Sequence, residues 1–199
     1  MEPPYARALA YGSYEGGLRD LIHMLKYQQV RPAANVLGRM LAEVVAGVEP
    51  SFREAKVLVI PVPLHRSKLR QRGFSQAELV TRLALKLSSS RDRYFLGSEG
   101  LERVRETQSQ TGLTRHQRRE NLRGAFRVKH PEQVSGREIL LVDDVFTTGT
   151  TASECARILR RAGAARIWVA TIARTLRNDV QHAQLEPAAD TDMTMAAHG

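Results

Sequence analysis

Three short apolar runs punctuate the chain: Val57 to Pro61 (VLVIP), Ile139 to Val142 (ILLV) and Arg166 to Ile172 (RIWVATI). Each is long enough for a buried strand and too short for a helix. Between them the apolar spacing becomes helical. Leu18, Leu21, Ile22 and Leu25 share one face after Gly16-Gly17, and Lys26 and Tyr27 end that helix. A second helix starts at Pro32, which suits a first turn, and runs to about Gly47 with Val36, Leu37, Met40, Leu41, Val44 and Val45 inward. A third follows Ser75 with Leu79, Leu83 and Leu87 on one face, and a fourth spans Ala152 to Ala162 before Gly163. Strands separated by helices predict a mainly parallel, twisted α/β sheet flanked by helices. Met1 to Tyr14 is expected to be loosely structured, Leu101 to Val104 a short strand, and Leu176 to Gly199, polar and without periodicity, a disordered tail. The expected division is a helical hood over residues 1–50, an α/β core over 51–175, and the tail over 176–199.

The stretch with most chemistry is ILLVDDVFTTGTT, Ile139 to Thr151. Asp143 and Asp144 close the apolar run, and Thr147, Thr148, Gly149, Thr150 and Thr151 make a hydroxyl-rich turn before the fourth helix. Strand-to-helix turns at the C-terminal edge of a parallel sheet are where open α/β folds bind ligands. Backbone N–H groups there attract a phosphate, and the threonine hydroxyls add donors. The carboxylates repel a phosphate and suit sugar hydroxyls or a metal ion instead. A phosphate on one side and a diol on the other describe a ribose 5-phosphate.

Two basic segments complete the picture. Pro61 to Gln76 (PVPLHRSKLRQRGFSQ) reads as a rigid loop after a strand, with His65, Arg66, Lys68, Arg70 and Arg72 able to hold a second anion. Arg103 to Phe126 opens with a polar run, Thr107 to Gly112, followed by a short basic helix carrying Arg115, Arg118 and Arg119. A cationic segment opposite a phosphate site is what a lid needs, because closure expels water and strengthens each charge contact. Lys26, at the end of the first helix, is a candidate to reach the ligand from the hood.

Composition narrows the function class less than the motifs do. Hydrophobic residues at 42% and charged residues at 26% are ordinary for a globular domain. Cys155 is the single cysteine, which excludes a disulfide framework or a cysteine zinc site within this chain. Without a run of eighteen apolar residues or a signal-peptide pattern, the expectation is a cytoplasmic protein without membrane insertion. The net charge of +9 is concentrated, with eight Lys/Arg from Arg103 to Lys129 against Glu106 and Glu120. Such a surface attracts a pyrophosphate or a nucleic acid, and charge alone does not choose between them.

Taken in order, PVPLHRSKLRQRGFSQ, RETQSQTGLTRHQRRENLRGAF, VDDVFTTGTT and VATIAR resemble the ComF family (ComFC/GntX proteins), a branch with the type I phosphoribosyltransferase fold. VDDVFTTGTT is similar to the phosphoribosyl pyrophosphate (PRPP) loop found across that superfamily. The Arg72 to Gln76 element and the Thr107, Gln110, Leu113, Arg119, Asn121 spacing narrow the resemblance to this branch. It covers about Tyr5 to Thr175. The four-cysteine N-terminal zinc module that members often carry is expected to be lacking, since no cysteine precedes Cys155.

By position, the resemblance implies that Asp143 and Asp144 bind the PRPP ribose, helped by a Mg²⁺ that also touches the pyrophosphate. It implies that Thr147 to Thr151 cradle the 5-phosphate and that Leu64, His65 and Arg66 line the pyrophosphate loop. Arg103, Arg118 and Arg119 would supply the flexible-loop cations. Thr147 stands where purine-salvage relatives place an Asp that acts on the base, which points away from a hypoxanthine- or adenine-type transferase. The activity implied is transfer of a phosphoribosyl group to an unnamed acceptor with release of pyrophosphate, although no general base is evident. The alternative is a non-catalytic, PRPP- or nucleotide-responsive accessory of natural competence that binds single-stranded DNA. A homodimer is a further expected partner arrangement.

Overall fold

The computed structural model describes residues 2–28, 30–107 and 114–176, without the side chain of residue 115. In chain order the elements are β1 (Arg7–Ser13), α1 (Gly16–Tyr27), α2 (Pro32–Val48), β2 (Val57–Pro61), α3 (Arg66–Arg72) and α4 (Gln76–Leu87). There follow β3 (Tyr94–Leu96), β4 (Leu101–Arg103), α5 (Arg115–Leu122), β5 (Phe126–Val128), α6 (Pro131–Val134), β6 (Glu138–Phe146), α7 (Thr150–Arg161) and β7 (Arg166–Arg174). Five strands form a wholly parallel sheet in the order β1-β7-β6-β2-β3, while β4 and β5 pair antiparallel as a separate flap.

The central strands are apolar throughout because both of their faces are covered. Val57, Val59, Leu140, Val142, Trp168, Ala170 and Ile172 turn to one face, where α1, α2 and α4 supply Ile22, Leu25, Leu37, Leu41 and Val80. The alternate residues Leu58, Ile60, Ile139, Leu141, Ile167 and Val169 turn to the other, against Leu122 of α5, Val134 of α6 and Cys155, Ala156 and Leu159 of α7. Period-two alternation between two covered faces is the geometry of a buried parallel sheet.

Several sequence expectations are corrected. The N-terminal stretch expected to be loose contains β1, an edge strand paired with β7 in register from Arg7↔Trp168 to Ser13↔Arg174. Val36 and Leu87, expected inward, are exposed. On α4 the buried positions are Gln76, Ala77, Val80, Thr81 and Ala84. Leu79 and Leu83 only flank that contact. The helices approach closely here: a Cβ placed on Gly38 of α2 would lie 2.8 Å from Leu83 Cβ, so a glycine on α2 makes room for α4. The loop expected after β2 contains α3, capped by the His65 side chain at its start and by left-handed Gly73 (φ 76°) at its end. Finally, β6 continues four residues past Val142, so the two aspartates lie within a strand and not after one.

Candidate functional site

Strand periodicity decides where the two carboxylates point. Asp144 follows the face of Val142, toward the hood, and Asp143 follows the face of Leu141, toward α7 and the flap. Neighbours in sequence therefore meet different partners. Lys26 Nζ lies 2.7 Å from Asp144 Oδ2, with both side chains less than one-fifth exposed. Burial pushes the Lys26 ammonium down, but the Asp144 carboxylate outweighs it and the net shift is upward. Lys26 also sits in the last turn of α1, where a cation is favoured.

Asp143 is in a different position. Its Oδ1 accepts a hydrogen bond from the Asp144 backbone N–H at 2.9 Å. Burial and then the charge of Asp144 push its carboxyl up to about 7, partly offset by Lys26, that backbone bond and Arg103. Beneath it the buried Cys155 thiol is pushed well up by burial and then by Asp143.

Past β6 the chain turns at Gly149, whose φ of 72° is left-handed and whose missing Cβ would lie 2.6 Å from Phe146 Cζ. Glycine is required there on both counts. The Thr148 and Thr150 hydroxyls are 2.7 Å apart, and α7 begins at Thr150. Asp143, Thr147, Gly149, Thr150 and Thr151 line a shallow depression at this turn. A second depression, beside Pro3, Tyr5 and Ile167, is lined by no carboxylate.

Arg118, expected among the flexible-loop cations, lies against this turn, where its Nη1 donates to Thr147 Oγ1 at 3.2 Å. It is buried (9% exposed), and burial holds its guanidinium below the usual range. The helix that carries it is firmly seated. A Thr114–Gln117 capping box starts α5, Arg105 Nη2 donates to the Asn121 and Arg123 carbonyls at its end, and Leu122 is fully buried. Arg119, one residue on, is exposed.

The remaining candidates lie along the C-terminal edges of β2 and β4. His65 Nδ1 is 2.8 Å from Ser67 Oγ, which donates to Glu106 Oε1 at 2.6 Å. Leu64 is half-buried and Arg66, the first residue of α3, is exposed. Arg103 is tied to the rest by a backbone bridge to His65, a bond to the Thr107 hydroxyl and a stack 5.5 Å from the Phe126 ring. Its guanidinium is lowered chiefly by burial. The polar run from residue 108 to 113, with the Gln110 and Leu113 spacing positions, and the tail beyond 176 lie outside the described residues.

Lys68, one of the cations expected after β2 to hold a second anion, gains a definite setting, whereas the sequence does not single out Tyr14 at all. Lys68 of α3 has its ammonium lowered by burial and then by Arg103 and Arg72, with Glu106 opposing and Lys26 adding to the repulsion. It therefore belongs to a group of cations gathered from α1, α3 and β4. Tyr14, just past β1, has its hydroxyl raised by burial and by Asp144 against the pull of Lys26, so it too borders the carboxylates. The run of cations after β2 was the signal for Lys68. Tyr14 offered none, because its strand is an edge strand.

Among the described residues no helix is long and apolar enough to cross a membrane. Comparison with known proteins matches residues 77–194 to the family described as "Phosphoribosyl transferase domain". The DNA utilization protein YhgH of Escherichia coli O157:H7 is 37% identical over 176 residues, covering 87% of this chain and 74% of that protein. Competence protein F of Haemophilus influenzae is 33% identical over 176 residues, covering 87% of this chain and 75% of that protein. Resemblance to solved structures is more distant. A hypoxanthine phosphoribosyltransferase of Staphylococcus aureus shares 12% identity at a TM-score of 0.41, over 79% of this chain and 71% of that one. The glutamine PRPP amidotransferase of B. subtilis, complexed with ADP and GMP, shares 24% at a TM-score of 0.39, over 69% of this chain and only 25% of its own. On the family match and the two competence-type relatives, the chain belongs to the ComF family of proteins with a phosphoribosyltransferase domain.

Proposed function

We propose that this protein binds PRPP and transfers its phosphoribosyl group to an acceptor with release of pyrophosphate. The observation that carries the reading is the juxtaposition on one sheet edge of a phosphate-type turn, two strand carboxylates and a separate group of cations. The 5-phosphate enters the Thr147 to Thr151 turn, where backbone N–H groups at the start of α7 and the Arg118 guanidinium meet it. Asp144 and Asp143 accept hydrogen bonds from the ribose hydroxyls. The pyrophosphate then extends toward Leu64 to Arg66, with Lys68 and Arg103 nearby.

As the bond between the anomeric carbon and the pyrophosphate oxygen breaks, negative charge grows on the leaving group and positive charge on the sugar ring. Fixed cations stabilise the first, and the strand carboxylates stabilise the second. A hard divalent cation fits here, because two adjacent carboxyls supply oxygen donors and Asp143, held protonated first by burial and then by the charge of Asp144, would gain from a nearby positive charge. Asp143 and Asp144 would hold Mg²⁺ with the ligand's own oxygens, since no cluster of three His, Cys, Asp or Glu occurs among the described residues. When bound, the ion supplies neutralisation of pyrophosphate charge. Titration calorimetry of PRPP, ribose 5-phosphate and pyrophosphate with Mg²⁺, followed by pyrophosphate release with a panel of bases and amines, tests the reading. Binding of PRPP no tighter than of pyrophosphate alone overturns it.

A second reading, handling of DNA, is favoured by the names of the DNA utilization and competence relatives and by the +9 charge. Arg119 and Arg123 on or beside α5 are exposed and free of the sugar site's turn. Single-stranded DNA affinity should then fall with salt by a log–log slope of about 0.7 per phosphate contacted. Replacing Arg119 and Arg123 together should flatten that slope by about 1 to 1.5, and an unchanged slope removes α5 from the interface.

A further inference from the structure

Arg72-Gly73-Phe74-Ser75-Gln76 joins α3 to α4 and touches the hood, yet the chemistry above uses none of it. Every residue in the run has a local cause. Arg72 lies with its guanidinium carbon 5.5 Å from the Tyr27 ring centroid, and its Nη1 donates to Gln76 Oε1 at 3.2 Å. Gly73 adopts φ 76° as the left-handed cap of α3, with open space around it, so backbone conformation alone selects glycine. Phe74 takes the Arg31 guanidinium 5.6 Å over its ring. The Ser75 side chain accepts from Glu78 N–H at the start of α4, and Gln76 is buried (3% exposed) as that helix's first residue.

Tyr27 ends α1 and Arg31 immediately precedes α2, so the two cation–π contacts grip both sides of the α1–α2 turn, in opposite senses. Lys26, adjacent to the gripped Tyr27, makes the 2.7 Å contact with Asp144. We infer that the Arg72 to Gln76 run is a clasp that holds the hood over the sugar site by fixing Lys26 on Asp144. Arg72 is thereby a positioning residue: its guanidinium face is occupied by Tyr27 and one of its nitrogens by Gln76, and it acts on the ligand through Lys26. The link to ligand binding rests on the proposed PRPP reading, whereas the clasp itself does not.

The test has a ligand-free arm and a ligand arm, both on the full chain after thermal melts show each variant folded. In the first, acylation of Lys26 by an amine-directed reagent is followed by peptide mass spectrometry, with exposed Lys86 as internal standard. Arg72→Gln and Tyr27→Leu should each raise the Lys26 rate by about 3- to 10-fold, and Tyr27→Phe, which keeps the ring face, should restore the slow rate. In the second arm, Arg72→Gln should weaken PRPP binding by a similar factor in the native background and have no effect in a Lys26→Met background. Unchanged Lys26 reactivity in both clasp variants overturns the inference. So does an Arg72→Gln loss that persists undiminished beside Lys26→Met, because Arg72 would then touch the ligand itself. Freed Lys26 in a protein that takes up no PRPP overturns the proposed function and leaves the clasp standing.

Discussion

Asp143→Asn should make the protein more stable at pH 8 and worse at its proposed task. The native carboxyl is pushed from the ordinary 3.8 to about 7, first by burial and then by the charge of Asp144. A raised folded-state pKa means that the native state binds more protons than the unfolded chain between about 4 and 7. Stability therefore declines as pH rises through that window and levels off above it. A shift of about three units at 1.36 kcal/mol each sets a ceiling of about 4 kcal/mol on the penalty at pH 8. Asparagine removes the charge at nearly constant shape, and its Oδ1 still accepts from the Asp144 N–H. It also forfeits the attraction of Asp143 for Lys26 and Arg103, so the net gain should be about 1–3 kcal/mol. At pH 5, where native Asp143 is already protonated, the gain should vanish. Urea unfolding of both proteins at pH 5, 6.5 and 8 provides the curve, and PRPP calorimetry at pH 8 provides the functional loss. A variant less stable than the parent at pH 8, or a difference that does not vary with pH, would falsify the burial-and-repulsion account.

Other substitutions separate the site's parts. Gly149→Ala should destabilise by about 2–4 kcal/mol in denaturant titrations, because the left-handed backbone and the 2.6 Å approach of Phe146 Cζ act together. Gly73→Ala, with a similar φ but open space, should lose only about 1–2 kcal/mol; equal losses would mean that Phe146 yields without strain. Arg118→Gln should weaken ribose 5-phosphate binding by about 1.5–3 kcal/mol while leaving pyrophosphate affinity nearly unchanged, as read by calorimetry. A loss confined to pyrophosphate would return Arg118 to the lid. Asp144→Asn should lower PRPP affinity by about 1.5–3 kcal/mol, and the same affinity in parent and variant would take the diol away from that carboxylate.

What could be read from the chain, and what could not, divides along physical lines. The strands β2, β6 and β7 announce themselves because two covered faces demand unbroken apolar runs. β1 does not: RALAYGS is half-buried along most of its length, and its identity comes from pairing with β7 some 160 positions away. α3 has no buried residue at all, so no apolar periodicity exists to betray it; its helicity rests on the His65 and Gly73 caps. On α4 the large leucines are the visible pattern, but the helix turns Gln76, Ala77, Val80, Thr81 and Ala84 inward, and Leu83 is admitted beside α2 only because Gly38 lacks a Cβ. Local motifs mark the Thr147 to Thr151 turn. The assignment of Arg118 to that turn needs the docking of α5 on α7, which no local pattern encodes.

The carboxylate pair shows how much a single strand geometry controls. Had β6 ended at Val142, Asp143 and Asp144 would share one loop and one partner. Because pairing with β7 continues to Phe146↔Arg174, the period of two throws them to opposite faces. The direct ion pair is to one side only, Asp144 taking Lys26 from the hood, while Asp143 feels Lys26 first and then Arg103 from the flap. A sugar bound across that strand edge would touch both carboxylates at once, so hood and flap would sense one ligand. Lys26→Met should therefore leave Arg118-dependent binding of ribose 5-phosphate in place while weakening the part that depends on Asp144. Loss of both parts together would mean that the two faces of β6 are coupled through the strand itself.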